Sequence, residues 1–290
     1  MANLVNLIIT GLATGAIYAL VAIGFTLLWQ TSQTINFAQG DFVMLPAFFM
    51  LPMLHAGVPY WLAILIGVIL SMLILGYGYK KLLVDPIRKH GVLPLAIAGM
   101  ALSIFMQEGV KNYTAEAHVF PALIPNLDFH IFGAVVSAQS IAVVVVALAV
   151  VIALQWLLNK TLVGHQMQAT AQNSTVARLL GIPVERMVLY TFLINGALVA
   201  IASALVSPLI FAKFSTGNIM GMAAFTAAIV GGFNQVRGAI AGGLLLGVVN
   251  NIGSAYISAQ YRDAIPLLLL ILVILFRPQG LMGRAEERTV

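Results

Sequence analysis

Long runs of apolar residues alternate along this chain with short polar intervals. Most runs approach the roughly 20 residues that a helix needs to cross a bilayer. The run at 218–256 is interpreted as two spans with a turn near Asn234–Gly238. The run at 42–56 is short and holds two prolines, so it is predicted to be a short, broken span. The pattern therefore predicts an all-α polytopic transmembrane helical bundle of eight or nine spans, with 1–290 as a single transmembrane domain. The runs lie at about 5–29, 42–56, 60–79, 93–113, 137–158, 187–210, 218–256 and 262–276.

Composition supports a membrane protein. The chain is 61% hydrophobic and 8% charged, whereas a soluble domain carries about 25% charged residues. So few charges could not cover the surface of a soluble fold of this size. A β-barrel would show short alternating segments, but runs such as Ile141–Leu158 are continuous. No cysteine is present, which excludes disulfides, thiolate metal sites and cysteine nucleophiles.

The basic residues predict the orientation in the membrane. No Lys or Arg precedes Lys80, so the first apolar run is predicted to be a retained helix rather than a signal peptide. By the positive-inside rule the intervals rich in Lys and Arg face the cytoplasm. Nine crossings then place the N-terminus outside and the C-terminus inside. The predicted cytoplasmic group is Lys80, Lys81, Arg88, Lys89, Lys160, Arg178, Arg186, Arg237, Arg277, Arg284 and Arg288, and the opposite group is Lys111, Lys213 and Arg262.

Catalytic and nucleotide-binding motifs are missing from the sequence. It has no GxxxxGK[ST], HExxH or GxSxG pattern, and its five histidines are scattered. We therefore expect no enzyme activity, no metal site and no cofactor in this chain. The net charge of +5 is assigned to cytoplasmic loops, and no nucleic-acid partner is expected. Glu108 is the clearest intramembrane acid, but it lies near Lys111 at the predicted end of its span, so it is weak support for a proton-coupled carrier.

A polar interruption follows the first apolar run, in the sequence TINFAQGDF at 34–42. Asn36, Gln39 and Asp41 are predicted to line the translocation path if this segment is irregular backbone around a cavity inside the protein. Gly40 would then permit an unusual turn. The alternative is an ordinary cytoplasmic turn with a helix cap at Asp41, and composition alone favours that alternative.

The longest polar interval with signals for the start and end of a helix is Gln166–Arg186. Asn173 or Ser174 is suited to cap a helix start. Val176, Leu179 and Leu180 follow at helical spacing, Gly181 is suited to end the helix, and Pro183 prevents its continuation. The result is a two-turn amphipathic helix that needs a surface to pack against. That surface is either the protein's own bundle or the lipid interface, or else a groove on a cytoplasmic partner.

Two further features bear on packing. The close spacing of Gly238, Gly242, Gly243 and Gly247 predicts close helix contacts, although it does not distinguish contacts within the chain from contacts between chains, and chance produces such spacing in apolar sequences rich in glycine. The predicted external interval 114–136, which holds Pro121, Pro125 and Gly133, is either an ordered loop or hairpin over the external mouth or a passive linker.

Several longer motifs resemble one family over nearly the whole chain. They are GLATGAIYALVAIGFTLLW at the N-terminus, INFAQGDFVML at 35–45, ATAQNSTVARLLGIPVERM at 169–187, FTAAIVGGFNQVRGAIAGGLLLGVVN at 225–250 and FRPQGLMG at 276–283. Together they resemble the LivH/LivM permeases of branched-chain amino acid ABC transporters, and more closely the LivH branch. The segment QEGVKNY around Glu108 departs from the family by its charge.

The resemblance implies an importer subunit of a bacterial inner membrane that uses the ATP and magnesium of two cytoplasmic ATPase subunits. It implies a LivM-like second permease and an extracytoplasmic substrate-binding protein as further partners. It also implies that the segment 160–186 is an ATPase-docking loop and that the segment 34–42 belongs to the translocation core. The cargo is a branched-chain amino acid or a related small amino acid, amide or urea. The implied docking residues are Thr175, Val176, Arg178, Leu179 and Gly181. A self-contained secondary transporter or channel remains the alternative.

Overall fold

The computed structural model describes residues 2–124, 127–131, 134–262 and 264–283, and these are mostly helical. Two strands, β1 (Asp128–Ile131) and β2 (Ala134–Ser137), pair antiparallel with Phe129 opposite Val136. The helices are α1 (Ala2–Ser32), α2 (Gln39–His55), α3 (Tyr60–Ser71), α4 (Asp85–Ile87), α5 (Val92–Tyr113), α6 (Ala138–Lys160), α7 (Leu162–Gln172), α8 (Ser174–Leu179), α9 (Val184–Ile210), α10 (Thr216–Gly231), α11 (Val236–Tyr256) and α12 (Ala264–Phe276).

Every apolar run of the sequence coincides with a helix. Among the described residues, six helices are long and apolar enough to cross a membrane: α1, the continuous helix Tyr60–His90, α5, α6, α9 and α11. The helices α10 and α12 are apolar but shorter. The prediction of an all-α, multi-pass membrane protein is therefore confirmed.

Helix α1 lies at the centre of the bundle. From Gly15 to Leu28 every residue is buried, as expected for a helix that is apolar all round. Helices α5 and α6 lie at the periphery instead. In α6 the buried positions recur at three- or four-residue spacing, as with Val143, Ala147 and Val151, which leaves the remaining apolar faces available to lipid.

The glycines of α11 bring backbones together on two sides. A methyl group on Gly243 would lie 2.5–2.7 Å from atoms of Ala19 in α1. Gly247 faces Gly11 and Gly15 of α1 with even less space, while Gly238 and Gly242 face the C-terminal half of α10. The four glycines selected from the sequence thus take part in close contacts within this chain.

Adding one methyl group at this contact should destabilise the fold. We expect Gly247→Ala to cost about 1–3 kcal/mol, because the new group meets backbone atoms that have no room to yield. Thermal unfolding of the detergent-purified chain measures the change. Gly109→Ala in α5 is the matched control, since nothing lies within 4 Å of a methyl group there and the substitution should be neutral or slightly stabilising. Equal unfolding temperatures for the two variants would contradict the packing assignment.

Three local features differ from the simplest expectation. Helix α2 is continuous through Pro46 and Pro52, so the predicted broken span is wrong; each proline removes one donor, while packing against α9 and α10 holds the helix.

The helix after α3 is π-helical over Met72–Gly78 and Lys80–Val84. The loop before α6 contains the β1–β2 hairpin, as one of the two alternatives predicted, while its position over an external mouth stays a prediction; Pro125 and Gly133 lie outside the described residues.

The C-terminal motif folds back on α10. The N–H of Leu281 donates to the carbonyl of Val230 at 2.8 Å, and that of Met282 donates to Gly231 at 3.0 Å. Gly280 has a φ of +81°, a conformation that side chains rarely adopt. The FRPQGLMG segment is therefore joined to the end of α10 by backbone hydrogen bonds. The basic residues Arg284 and Arg288 lie outside the described residues.

Candidate functional site

The polar segment 34–42 lies inside the bundle. Asn36, Gln39 and Asp41 are all at most 2% exposed. Ala38 occupies the cap position of α2 and no side chain caps the helix, so the interpretation of an ordinary turn capped by Asp41 is wrong. Asp41 lies within the first turn, and its carboxylate points into the protein rather than back to the helix end.

The first polar cluster joins α2 to α9. The Gln39 side-chain amide donates to Asn195 Oδ1 at 2.7 Å, and the Asn195 amide donates back to Gln39 Oε1 at 3.0 Å. Asn36 Nδ2 also donates to Gln39 Oε1 at 3.1 Å, and Asn36 Oδ1 accepts from the N–H of Ala38. Paired in this way, the buried amides avoid the cost of unsatisfied groups. The cluster fixes the start of α2 against the middle of α9.

The second polar cluster surrounds the carboxylate of Asp41. Ser103 donates to Asp41 Oδ2, and Gln107 Nε2 lies 3.0 and 3.2 Å from the two carboxylate oxygens. Gln107 also donates to Asn218 Oδ1 at 3.0 Å. Among the described residues Asp41 forms no ion pair. The carboxylate abuts Gly217 at the start of α10, where the helix dipole favours negative charge. The cluster links α2, α5 and α10.

Gly40 serves packing rather than a turn. It has an ordinary helical conformation, and the expected unusual turn is wrong. A methyl group there would lie 2.8 Å from the backbone of Gly221 and closer still to Gly217, both in α10. The start of α2 thus contacts α10 backbone to backbone, which brings Asp41 close to that helix.

Removing one amide of the first cluster should be more harmful than removing both. We expect Asn195→Leu to destabilise the protein by about 1–3 kcal/mol, since Gln39 would be left buried without its partner. The double variant with Gln39→Leu should recover part of this loss, because the unpaired Gln39 amide is removed, while the remaining loss comes from Asn36 Nδ2, which then lacks its acceptor. A double-mutant cycle of thermal unfolding measures the coupling. Strictly additive effects would show that the two amides do not act as a pair.

The predicted docking helix is present as α8. Asn173 caps it, with its Oδ1 accepting from the N–H groups of Thr175 and Val176, both at 3.0 Å. Gly181 adopts a φ of +79° just beyond its end, and the backbone N–H of Ile182 returns to Ala177. The helix has the start and end that its sequence predicts.

The apolar face of α8 is uncovered. Val176, Leu179 and Leu180 are 48%, 82% and 74% exposed, whereas Ala177 on the other side is buried. Packing of this face on the protein's own bundle is therefore excluded for the described residues. The face is open to lipid or to a partner.

A charged cluster connects α8 to the long helices. Glu185, at the start of α9, lies 3.5 Å from Arg178 of α8 and 3.3 Å from Arg88. Its carboxylate also lies 3.8 Å from the buried Lys80. Lys80 pairs with Asp85 at 2.8 Å, a five-residue spacing that the π-helical turn places on one face. The cluster provides a polar connection from α8 to α9 and to the helix Tyr60–His90.

Sequence reasoning missed several of these residues. Asn195, Ser103 and Asn218 sit singly in apolar helices, and only the fold brings them to the segment 34–42. Helix α7 was also missed. Its N-cap Thr161, which accepts from the N–H of Gly164, was the available signal. The acid selected from the sequence, Glu108, is exposed and pairs with Lys111 at 3.2 Å.

The described residues contain no group of three or more His, Asp or Glu placed to hold a metal ion. The arrangement of buried amides, a hydroxyl and one carboxylate around α2 is suited to hydrogen bonding. Helix α8 adds an exposed apolar contact surface. These features fit a membrane transport protein, with the α8 surface open to lipid or to a partner.

Comparison with known proteins identifies the family. Residues 7–274 match the model of the branched-chain amino acid transport system permease component. This chain belongs to that family. The permease protein BraD of Pseudomonas aeruginosa, named for high-affinity branched-chain amino acid transport, is 33% identical over 98% of this chain and 97% of its own length. The LivH permeases of Salmonella typhimurium and Escherichia coli, with the same description, are each 31% identical over 97% of this chain and 96% of theirs. No solved structure matches the chain.

Proposed function

We propose that the chain is the permease subunit of an ABC importer that moves branched-chain amino acids into the cytoplasm. The observation that carries the proposal is the similarity, over nearly the full length of both chains, to permeases named for that transport. The absence of a P-loop in the sequence supports an external source of energy. ATP and magnesium would then be bound in two partner ATPase subunits, and this chain would carry no cofactor and no catalytic site.

The proposed topology has nine crossings in a bacterial inner membrane, with the N-terminus outside and the C-terminus in the cytoplasm. The distribution of Lys and Arg supports this orientation. The three helices that are shorter than the six long spans, α2, α10 and α12, would complete the count. The residues 160–186 would form the cytoplasmic docking loop within a single transmembrane domain.

In this arrangement α8 inserts into the ATPase subunits. Thr175, Val176, Arg178, Leu179 and Gly181 would lie at or near the contact, and the exposed apolar face of α8 supports this assignment. ATP binding would move α8, and the charged cluster around Glu185 would transmit the motion to the long helices. Asn36, Gln39 and Asp41 would belong to the translocation core, which their burial beside α9 and α10 supports. A second, LivM-like permease chain and an extracytoplasmic binding protein would complete the assembly.

Reconstitution tests the proposal. We expect uptake of labelled leucine into proteoliposomes only when the second permease, the ATPases, the binding protein and ATP are all present. The chain alone, under proton or sodium gradients, should give no uptake. Substantial uptake by the chain alone would overturn the importer assignment.

One observation favours the alternative of a self-contained secondary transporter. Asp41 is a buried carboxylate without an ion-pair partner among the described residues, and carriers coupled to ions depend on such groups. That function predicts gradient-driven uptake by the chain alone that disappears on Asp41→Asn.

A further inference from the structure

A cavity of about 550 Å³ lies within this single chain, among α1, α6, α9, α10 and α11. It is at the end of the bundle that carries the loops between α9 and α10 and between α11 and α12. One part of its wall is apolar and includes Leu7, Val206 and Ile219. Its volume is in the range of small-molecule sites.

Two cations line this cavity, Lys213 and Arg262. Among the described residues no acidic side chain lines the cavity, and neither cation forms an ion pair with them. Lys213 and Arg262 are also two of the three basic residues outside the predicted cytoplasmic group. An ammonium and a guanidinium facing one cavity form a binding arrangement for a carboxylate.

A buried hydrogen-bond acceptor completes the cavity wall. Asn250 of α11 is 4% exposed, and its Oδ1 has no hydrogen-bond partner among the described residues. Its neighbour Asn251 is different, since that amide donates to Thr10 Oγ1 at 3.1 Å. A buried acceptor without a donor is costly. Either a water molecule or an N–H group of a ligand in the cavity would satisfy the Asn250 oxygen.

We propose that this cavity binds a zwitterionic aliphatic α-amino acid. The carboxylate would pair with Lys213 and Arg262, the ammonium would donate to Asn250 Oδ1, and the side chain would lie on the apolar wall. The inference rests on the proposed function for the class of cargo. It adds a ligand site inside this subunit, apart from the polar clusters around α2.

Binding of labelled leucine to the purified four-subunit transporter, without the binding protein, tests the site. Leucinol lacks the carboxylate and 4-methylpentanoate lacks the amine. Each should compete roughly 10- to 100-fold more weakly than leucine, because each loses charge-assisted hydrogen bonds. This comparison uses the unaltered protein and does not depend on the folding of a variant.

The matched variants locate the site. Lys213→Gln with Arg262→Gln should weaken leucine binding roughly 10- to 100-fold and abolish the preference for leucine over leucinol. Asn250→Leu should abolish the preference for leucine over 4-methylpentanoate. Lys111→Gln is the control. Lys111 is predicted to lie on the same side of the membrane as Lys213 and Arg262 but does not line the cavity, so leucine binding should not change. Leucine binding that is insensitive to the Lys213 and Arg262 changes would overturn the proposal.

The phosphate of an anionic lipid could also supply the negative charge that pairs with Lys213 and Arg262. Nanodiscs of phosphatidylcholine alone and nanodiscs containing phosphatidylglycerol separate the two. Equal leucine binding in the two kinds of nanodisc supports an amino-acid site. If phosphatidylglycerol abolishes leucine binding, the cavity is a lipid site and the proposal is overturned. If the full transporter imports leucine but fails these tests, only the cavity assignment is wrong. If it imports no branched-chain amino acid, the proposed function is wrong.

Discussion

Leu179→Asp is expected to abolish assembly of the permease with its ATPase subunits. Leu179 is 82% exposed at the end of α8, so the substitution should disturb little packing within the protein. In a complex, however, the carboxylate would be buried in an apolar groove, which costs several kcal/mol unless it is paired. Pull-down of the ATPases by the tagged permease measures assembly, and ATP-driven leucine uptake should be lost with it.

Two matched changes control this experiment. Leu179→Met keeps an apolar side chain of similar volume and should retain assembly. Leu127→Asp introduces the same charge at an exposed leucine in the predicted external loop and should also retain it. All three variants should reach the membrane in equal amounts. Retained pull-down by Leu179→Asp would show that α8 is not the docking element.

Asp41→Leu is expected to reduce leucine uptake by about tenfold or more while the protein still assembles. The carboxylate accepts from Ser103 and Gln107, and its loss leaves these partly buried donors without their acceptor at the junction of α2, α5 and α10. If the translocation core depends on this junction, transport should fall more than thermal stability does. Uptake rates and unfolding temperatures of the reconstituted importer separate the two effects.

Glu108→Gln is the matched control for Asp41. Both residues are acids in the same region of the bundle, but Glu108 is exposed and, among the described residues, its ion pair is with Lys111. An exposed pair of this kind contributes little to stability, so its removal should leave uptake nearly unchanged. A larger effect at Glu108 than at Asp41 would reverse the assignment.

Local signals in the sequence were sufficient for several elements. The apolar runs matched helices because their length and hydropathy are set by the bilayer rather than by neighbouring segments. Helix α8 was predictable because Asn173 and Gly181 act within a few residues of themselves. The glycines of α11 were recognisable from their spacing, although the sequence did not say which helices they would meet.

Long-range features were not accessible in this way. The partners of Gln39 and Asp41 lie in α5, α9 and α10, far along the chain, and single polar residues there carry no signal of their own. The continuity of α2 through its prolines depends on neighbours that hold the helix. The cavity beside Asn250 is lined by residues of five helices that are far apart in the sequence, so no local pattern could predict it.

The sequence by itself determined that this is a helical membrane protein, that α8 begins and ends where it does, and, through its motifs, its family. These properties follow from local composition, capping and repeated residue patterns, which need no knowledge of the packing. Only the tertiary structure decided that the segment 34–42 is buried, that Asp41 rather than Glu108 is the enclosed acid, and that the apolar face of α8 is uncovered. Burial and hydrogen-bond partners depend on which helices pack together, and that arrangement is a property of the whole chain.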